Sequence, residues 1–233
     1  MNRTGLYIAL GIGAVVGVVF GVFPQLDLAI SRLFYDPTIH DFRVNALLWV
    51  QQSRAVARVL IALIVAPACI ALFGKLLLPR RRMFIKTRVA LFLVLTLLVG
   101  PGLIANSLFK EHWGRARPID VTEFGGTDRF TAWWDPRGDC PGNCSFIAGE
   151  PAGAFWTLAP AALVPPQWRA LAYGAALAFG AGVGALRIAG GGHFFTDVVF
   201  AGVFMYLVIW TAYGAIYRWW PERKGSETET PGE

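Results

Sequence analysis

Six long runs of this chain carry almost no charge, and that feature limits the fold more than any motif does. They cover residues 6–23, 59–78, 89–109, 151–167, 170–186 and 198–217. Leu6 to Phe23 is uncharged for 18 residues and Val89 to Phe109 for 21. A helix needs about 20 apolar residues to cross a bilayer. Only 15% of the chain is charged, against about 25% in soluble domains. The expectation is an all-α, polytopic membrane protein: one bundle of six transmembrane helices over residues 1–220, then a disordered cytoplasmic tail over 221–233. Phe23-Pro24-Gln25 offers no small-residue cleavage site, so the first run reads as an uncleaved span.

The net charge of +6 is read as orientation, because many of the cations flank the apolar runs and no nucleic-acid motif is present. Arg80, Arg81, Arg82, Lys86 and Arg88 crowd one short loop without an acid, and such loops stay cytoplasmic. Arg169, Arg218, Arg223 and Lys224 agree. Six spans then put both termini in the cytoplasm and send residues 110–149 and 187–193 to the outer face. Trp113, Trp133 and Trp134 fall near that face, and Trp168, Trp219 and Trp220 near the inner one, as aromatic belts do. Residues 24–52 are mixed and polar; Phe42 to Val59 reads either as an interfacial helix or as a plain loop.

Three polar clusters land on the outer side: Lys110-Glu-His-Trp-Gly-Arg-Ala-Arg117-Pro118, Cys144-Ser-Phe-Ile-Ala-Gly149-Glu150, and Arg187-Ile-Ala-Gly-Gly-Gly-His193-Phe-Phe-Thr-Asp197. Lys110, Arg117 and Arg187 have no matching acid trio and suit a doubly charged anion such as a phosphate monoester. Gly149 and Gly190 to Gly192 let backbone N–H groups approach its oxygens. His193 and Asp197 are four apart, one helical turn on one face. A carboxylate there holds the imidazole in one tautomer and frees the other nitrogen to attack phosphorus. Each piece has a plain competitor: a lone histidine near a span end is commonly a packing residue, and basic residues crowd membrane ends anyway. Joint occurrence, in order and on one face, favours a site. No further His or Cys stands at metal-ligand spacing. Cys140 and Cys144, in Cys-Pro-Gly-Asn-Cys, pair as a disulfide if the loop faces an oxidising compartment, or stay as two thiols if the tight loop forbids the geometry. Cys69 lies in an apolar run and reads as packing.

These residues resemble the type 2 phosphatidic acid phosphatase (PAP2) family of membrane phosphatases. Lys110-x6-Arg117-Pro118 is similar to its first motif, and Arg187-x5-His193-x3-Asp197 to its third, with Leu186 where the family usually has serine. The resemblance implies that Lys110, Arg117, Arg187 and Gly149 bind phosphate and that His193 becomes a phosphohistidine oriented by Asp197. It also implies that neither a metal nor another cofactor is needed. The second motif departs: Ile147-Ala148-Gly149-Glu150 stands where the family reads Pro-Ser-Gly-His. Ala148 lacks a phosphate-bonding hydroxyl, and Glu150 replaces the histidine that protonates the leaving group. A glutamate does that only with a raised pKa, and nearby cations push the other way. Either Glu150 is shielded from them, or the leaving group is a good one, such as a lipid diphosphate or an anomeric sugar phosphate.

The expected function is an integral membrane lipid phosphatase of a bacterial inner membrane, with its site on the periplasmic face. Candidate substrates are lipid A, isoprenyl diphosphate and phosphatidylglycerophosphate, with lipid A preferred on overall resemblance. The expected partners are the phosphorylated lipid and the bilayer. Alternatives are phosphotransfer to another lipid through the same intermediate, a phosphate-lipid binding protein that lost turnover, and a transporter, whose charges belong near midspan.

Overall fold

A computed structural model describes residues 1–219; the tail expected over 221–233 lies outside them. The described residues form helices, with two isolated bridges and no strand. This follows from the solvent: within a bilayer a segment must satisfy its own backbone groups, and a helix does so alone. In chain order the helices are α1 (Arg3–Val22), α2 (Gln25–Arg32), α3 (Leu48–Leu77), α4 (Thr87–His112), α5 (Gly149–Phe155), α6 (Leu158–Leu163), α7 (Pro166–Ala189) and α8 (Phe195–Tyr217). Five of them, α1, α3, α4, α7 and α8, are long and apolar enough to cross a membrane.

Three elements differ from expectation. The helix that carries the second apolar run begins before residue 59, as the helical reading of residues 42–59 allowed in part. Nothing between Leu48 and Val59 breaks a helix, so α3 runs for 30 residues, about 45 Å at 1.5 Å per residue. That exceeds the roughly 30 Å hydrocarbon core, and the surplus first turns bring Arg54 and Arg58 to the polar clusters. Residues 151–167 do not form one continuous helix but two short ones, α5 and α6, which together run from one end of the bundle to the other. Pro160 has no N–H for the carbonyl four residues back, that of Trp156, and the chain breaks at Trp156 and Thr157, where Thr157 Oγ1 donates to the Ala154 carbonyl at 2.6 Å. α4 widens into a π-helix from Leu98 to Phe109, around Pro101. Within the widened turns Asn106 Nδ2 donates to the Pro101 carbonyl at 2.6 Å and Ser107 Oγ to that of Gly102 at 3.2 Å.

α8 runs through the middle, packed against α1, α4 and α5, and α5 packs against α7. With lipid outside as apolar as the helices themselves, close packing at small residues has to hold the bundle together. Gly180 faces the Phe155 ring and Gly184 faces Val198. Trp156 is fully buried, and its Nε1 donates to Thr96 Oγ1 at 3.0 Å. Successive directions bring the end of α1, the start of α3, the end of α4, the start of α5, the end of α7 and the start of α8 to one face of the bundle. The α3–α4 loop with Arg80 to Arg82, the α6–α7 turn before Arg169 and the end of α8 lie at the opposite end.

A Cβ at Gly180 would sit 2.2 Å from the Phe155 ring, whereas one at Gly182, on the same helix, meets nothing within 4 Å. Gly180→Ala is expected to destabilise the bundle by about 1–3 kcal/mol through overpacking. Gly182→Ala should be neutral or stabilising by about 0.5–1 kcal/mol. Thermal unfolding of the two variants in detergent checks this contrast.

Candidate active site

Arg115 lies in the loop between α4 and α5, has no exposed surface, and collects three parts of the chain. Its Nη2 donates to Asp27 Oδ2 of α2 at 2.8 Å, and its Nε to the Thr131 carbonyl at 3.1 Å. Nη1 donates to Thr196 Oγ1 at 2.8 Å and to Asp197 Oδ1. The guanidinium lies over the Phe194 ring, 4.4 Å from its centroid. Burial alone would lower the Arg115 pKa, but Asp197 and Asp27 outweigh it and hold the group charged. Asp27 also accepts from the Thr196 N–H at 3.1 Å and from Thr196 Oγ1 at 2.6 Å, which fixes the first turn of α8.

That turn sets the histidine. Asp197 reaches back to accept from the Phe194 N–H at 2.8 Å, as a third-position acid does in a capping box. The same Oδ2 accepts from Ser145 Oγ at 2.5 Å. Its distance to His193 Nδ1 is 3.8 Å, too long for a hydrogen bond. The Nδ1 partner is instead the Ser145 carbonyl at 2.8 Å. A carbonyl can only accept, so the proton sits on Nδ1 and Nε2 carries the lone pair. His193 is buried, and burial, helped by Arg187 and Lys110, pushes its pKa down to about 4 despite the opposing pull of Asp197.

Lys110, at the end of α4, has Arg117 and Arg187 as electrostatic neighbours. Lys110 Nζ donates to Asn143 Oδ1 at 3.3 Å and Arg117 Nη2 to the Asn143 carbonyl at 2.7 Å. Asn143 has a positive φ of 51° within the loop that the Cys140–Cys144 disulfide closes. Two glycines let the cations come close: a Cβ at Gly149 would lie 3.0 Å from Lys110 Cε, and one at Gly192 only 2.2 Å from Arg187 Nη2. Arg187 Nε is buried without a hydrogen-bond partner, 3.7 Å from Glu150 Oε2.

Glu150, at the start of α5, is not shielded from cations. Arg54 grips it with two bonds, Nε to Oε2 at 2.9 Å and Nη2 to Oε1 at 2.8 Å. Arg58 Nη1 adds one at 3.2 Å, and Arg187 Nε lies 3.7 Å away. Burial works to raise the carboxyl pKa, but the arginines prevail and hold it below the ordinary range. This is a carboxylate fixed in its charged form, the reverse of what a general acid requires. The Ala148 N–H donates to the backbone carbonyl of Asp197 at 3.2 Å, so the second cluster is tied to the third by main chain where it lacks a hydroxyl. Among the described residues no group of three or more His, Cys, Asp or Glu side chains could hold a metal ion.

The structure thus gathers Lys110, Arg117, Gly149, Glu150, Arg187, His193 and Asp197 at one end of the bundle. Sequence reasoning missed Asp27, Arg54, Arg58, Arg115, Asn143 and Ser145. Arg115 and Ser145 stood inside quoted motifs, and Arg54 and Arg58 were legible as arginines in an apolar stretch; nothing local marked Asp27.

A model of the family described as PAP2 superfamily matches residues 86–223. The Lipid A 4'-phosphatase of Francisella tularensis subsp. novicida (strain U112) is 33% identical over 226 residues, 94% of this chain and 98% of that protein. The Lipid A 4'-phosphatase of Rhizobium leguminosarum is 38% identical over 132 residues, 57% of this chain and 56% of that one. That of Rhizobium etli is 36% identical over 131 residues, 56% and 51%. No solved structure matches the chain.

Two measurements test the geometry. Asp27→Ala leaves Arg115 paired with Asp197 but takes the acceptor from Arg115 Nη2 and the Thr196 N–H, and is expected to cost about 1–3 kcal/mol, read as a lowered unfolding temperature. By NMR, the His193 ring should titrate near 4 rather than at 6.5. Between those values the unfolded chain takes up a proton that the folded one refuses. The stability this residue contributes is therefore full above pH 6.5 and falls as the pH drops towards 4.

Proposed function

Because the chain belongs to the PAP2 superfamily, we propose that it removes the 4'-phosphate of a lipid A-type glycolipid through a covalent phosphohistidine on His193. That it is a membrane lipid phosphatase follows from the family and the relatives; substrate and intermediate are the further reading. The observation that carries the intermediate is the neutral, buried His193 with its proton on Nδ1, beside a cation set in which Arg187 Nε makes no hydrogen bond.

In this reading Lys110, Arg117 and Arg187 bind the non-bridging oxygens of the phosphate. His193 Nε2 attacks phosphorus, the bond to the sugar oxygen breaks, and the phosphoryl group passes to the ring. Asp197 and Ser145 stabilise the charge the ring acquires. Water then attacks the phosphohistidine, releasing inorganic phosphate and restoring the free imidazole. The first step needs a proton for the leaving oxygen. A 4' oxygen is an ordinary sugar hydroxyl and a poorer leaving group than an anomeric one, so the choice framed in the sequence does not end in a self-sufficient leaving group. Ionised Glu150 cannot supply the proton. Of the three phosphate-binding cations only Lys110 can release one, since arginine holds its own far above neutral pH. No step calls for a metal.

The favoured orientation puts the site on the periplasmic face of a bacterial inner membrane with the N-terminus in the cytoplasm. Arg80 to Arg82 lie at the opposite end of the bundle from the site, as cytoplasmic anchors do. The Cys140–Cys144 bond at the site end fits an oxidising compartment.

Phosphate release by the purified protein should be measured without added metal and with chelator present, using lipid A, isoprenyl diphosphate and phosphatidylglycerophosphate. Release from lipid A alone, a drop on the order of 10³-fold or more in His193→Ala and an acid-labile phosphoprotein on rapid quenching are expected. Turnover that survives His193→Ala, or that chelator abolishes, would sink the mechanism. Phosphate appearing on an acceptor lipid instead of in water would make the protein a phosphotransferase.

A further inference from the structure

Away from the catalytic residues the bundle is not closed. α1 and α7 flank α8 and leave a cavity of about 580 Å³ between them. Its walls are apolar, from Ile8 and Ile12 of α1, Phe155 of α5, Leu177 of α7 and Val203 of α8. The lining residues at this end of the chain run from Asn2, the N-cap of α1, to Ile12, a rise of about 15 Å. That is half of the roughly 30 Å hydrocarbon core, the depth of one leaflet.

The mouth is charged with one sign. Arg169, in the first turn of α7, and Arg218, just past α8, both line the cavity, and no Asp or Glu does among the described residues. Arg169 uses its Nε on the Val164 carbonyl at 3.2 Å, and Arg218 stacks on the Tyr213 ring at 5.7 Å. Each keeps further N–H donors. The Tyr173 hydroxyl, which also lines the cavity, is buried without a hydrogen-bond partner. A buried hydroxyl left alone costs free energy unless something arrives to bond it.

We propose that this cavity is a binding site for an acidic phospholipid of the leaflet opposite the catalytic site. One acyl chain lies in the apolar slot, the phosphate meets Arg169 and Arg218 at headgroup level, and the Tyr173 hydroxyl donates to a phosphate or ester oxygen. The occupant is chosen by this combination. An apolar slot one leaflet deep excludes water and soluble anions, and a mouth of two arginines without an acid favours an anionic headgroup over a zwitterionic one. The site is separate from the reaction; its lipid is retained, not hydrolysed, and packs the gap between α1 and α7.

The test is native mass spectrometry of the full-length protein mixed in detergent with equal amounts of phosphatidylglycerol and phosphatidylcholine of the same acyl chains. The wild type should retain phosphatidylglycerol with a preference of about tenfold. Arg169→Gln with Arg218→Gln should abolish the preference. Arg81→Gln with Arg82→Gln, which removes the same charge from the same end outside the cavity, should leave it intact. Ile12→Trp with Leu177→Trp should fill the slot and expel both lipids, while phosphate release in each variant stays at the wild-type rate. Equal retention of the two lipids by the wild type overturns the proposal. So does a preference that survives the Arg169 and Arg218 changes, or one that the Arg81 and Arg82 changes weaken as much.

Discussion

The site depends on one buried cation. Arg115 sits where water cannot reach it, and a lone charge there would be prohibitive. Two carboxylates from opposite ends of the sequence, Asp27 and Asp197, make the burial tolerable, and in doing so they fix α2, the α4–α5 loop and the start of α8 to a single point. Such an assembly adds little net stability over an apolar core, because desolvation offsets most of the attraction. What it supplies is geometry. Each carboxylate oxygen is assigned to a donor, so the first turn of α8 cannot slide or rotate without leaving a charge unpaired. His193 precedes that turn and inherits its position.

The histidine is therefore oriented in two stages. Asp197 is occupied by Arg115, the Phe194 N–H and Ser145 Oγ, and it acts on the ring across 3.8 Å rather than through a bond. The Ser145 carbonyl fixes the tautomer, while the Ser145 hydroxyl bridges towards the carboxylate. This separation has a chemical sense. A carboxylate bonded directly to Nδ1 would favour the imidazolium in the resting state; a carbonyl accepts the proton without adding a full negative charge, so the ring stays neutral and nucleophilic among cations. In the proposed reaction the carboxylate is near enough to stabilise the positive ring that phosphorylation would create.

What could be read from the sequence divides along physical lines. Lipid as solvent makes composition a direct report on burial in the membrane, so α1, α4, α7 and α8 fall within a few residues of the apolar runs. Catalytic spacing within one element, such as His193 to Asp197, is also local and legible. For residues 42–59 the sequence left a helix and a loop open, because Arg54 and Arg58 interrupt the apolar pattern; charge does not end a helix, and α3 runs through both. The fourth run is apolar throughout, but Pro160 forbids a continuous helix, and the chain crosses as two short ones. Asp27, Asn143 and the bonding role of Ser145 left no local trace, because each acts on a partner tens of residues away or more.

Glu150 shows how a substitution at one position can be absorbed by charges brought from elsewhere. In the proposed reaction Lys110, Arg117 and Arg187 share one dianion, and without it these neighbouring cations repel each other. Extending α3 above the membrane core adds Arg54 and Arg58, which deepens that repulsion. A histidine at position 150 would be a further donor among donors and would do nothing to relieve it. A glutamate takes both Arg54 nitrogens, a bond from Arg58 and the field of Arg187, and holds the empty site together. Glu150 and the two α3 arginines are thus one unit. Replacing the glutamate alone would leave Arg54 and Arg58 without a counter-charge, and replacing the arginines alone would leave a half-buried carboxylate competing with phosphate for Arg187. The departure from the second motif is explained by the first turns of α3, which lie more than ninety residues earlier in the chain.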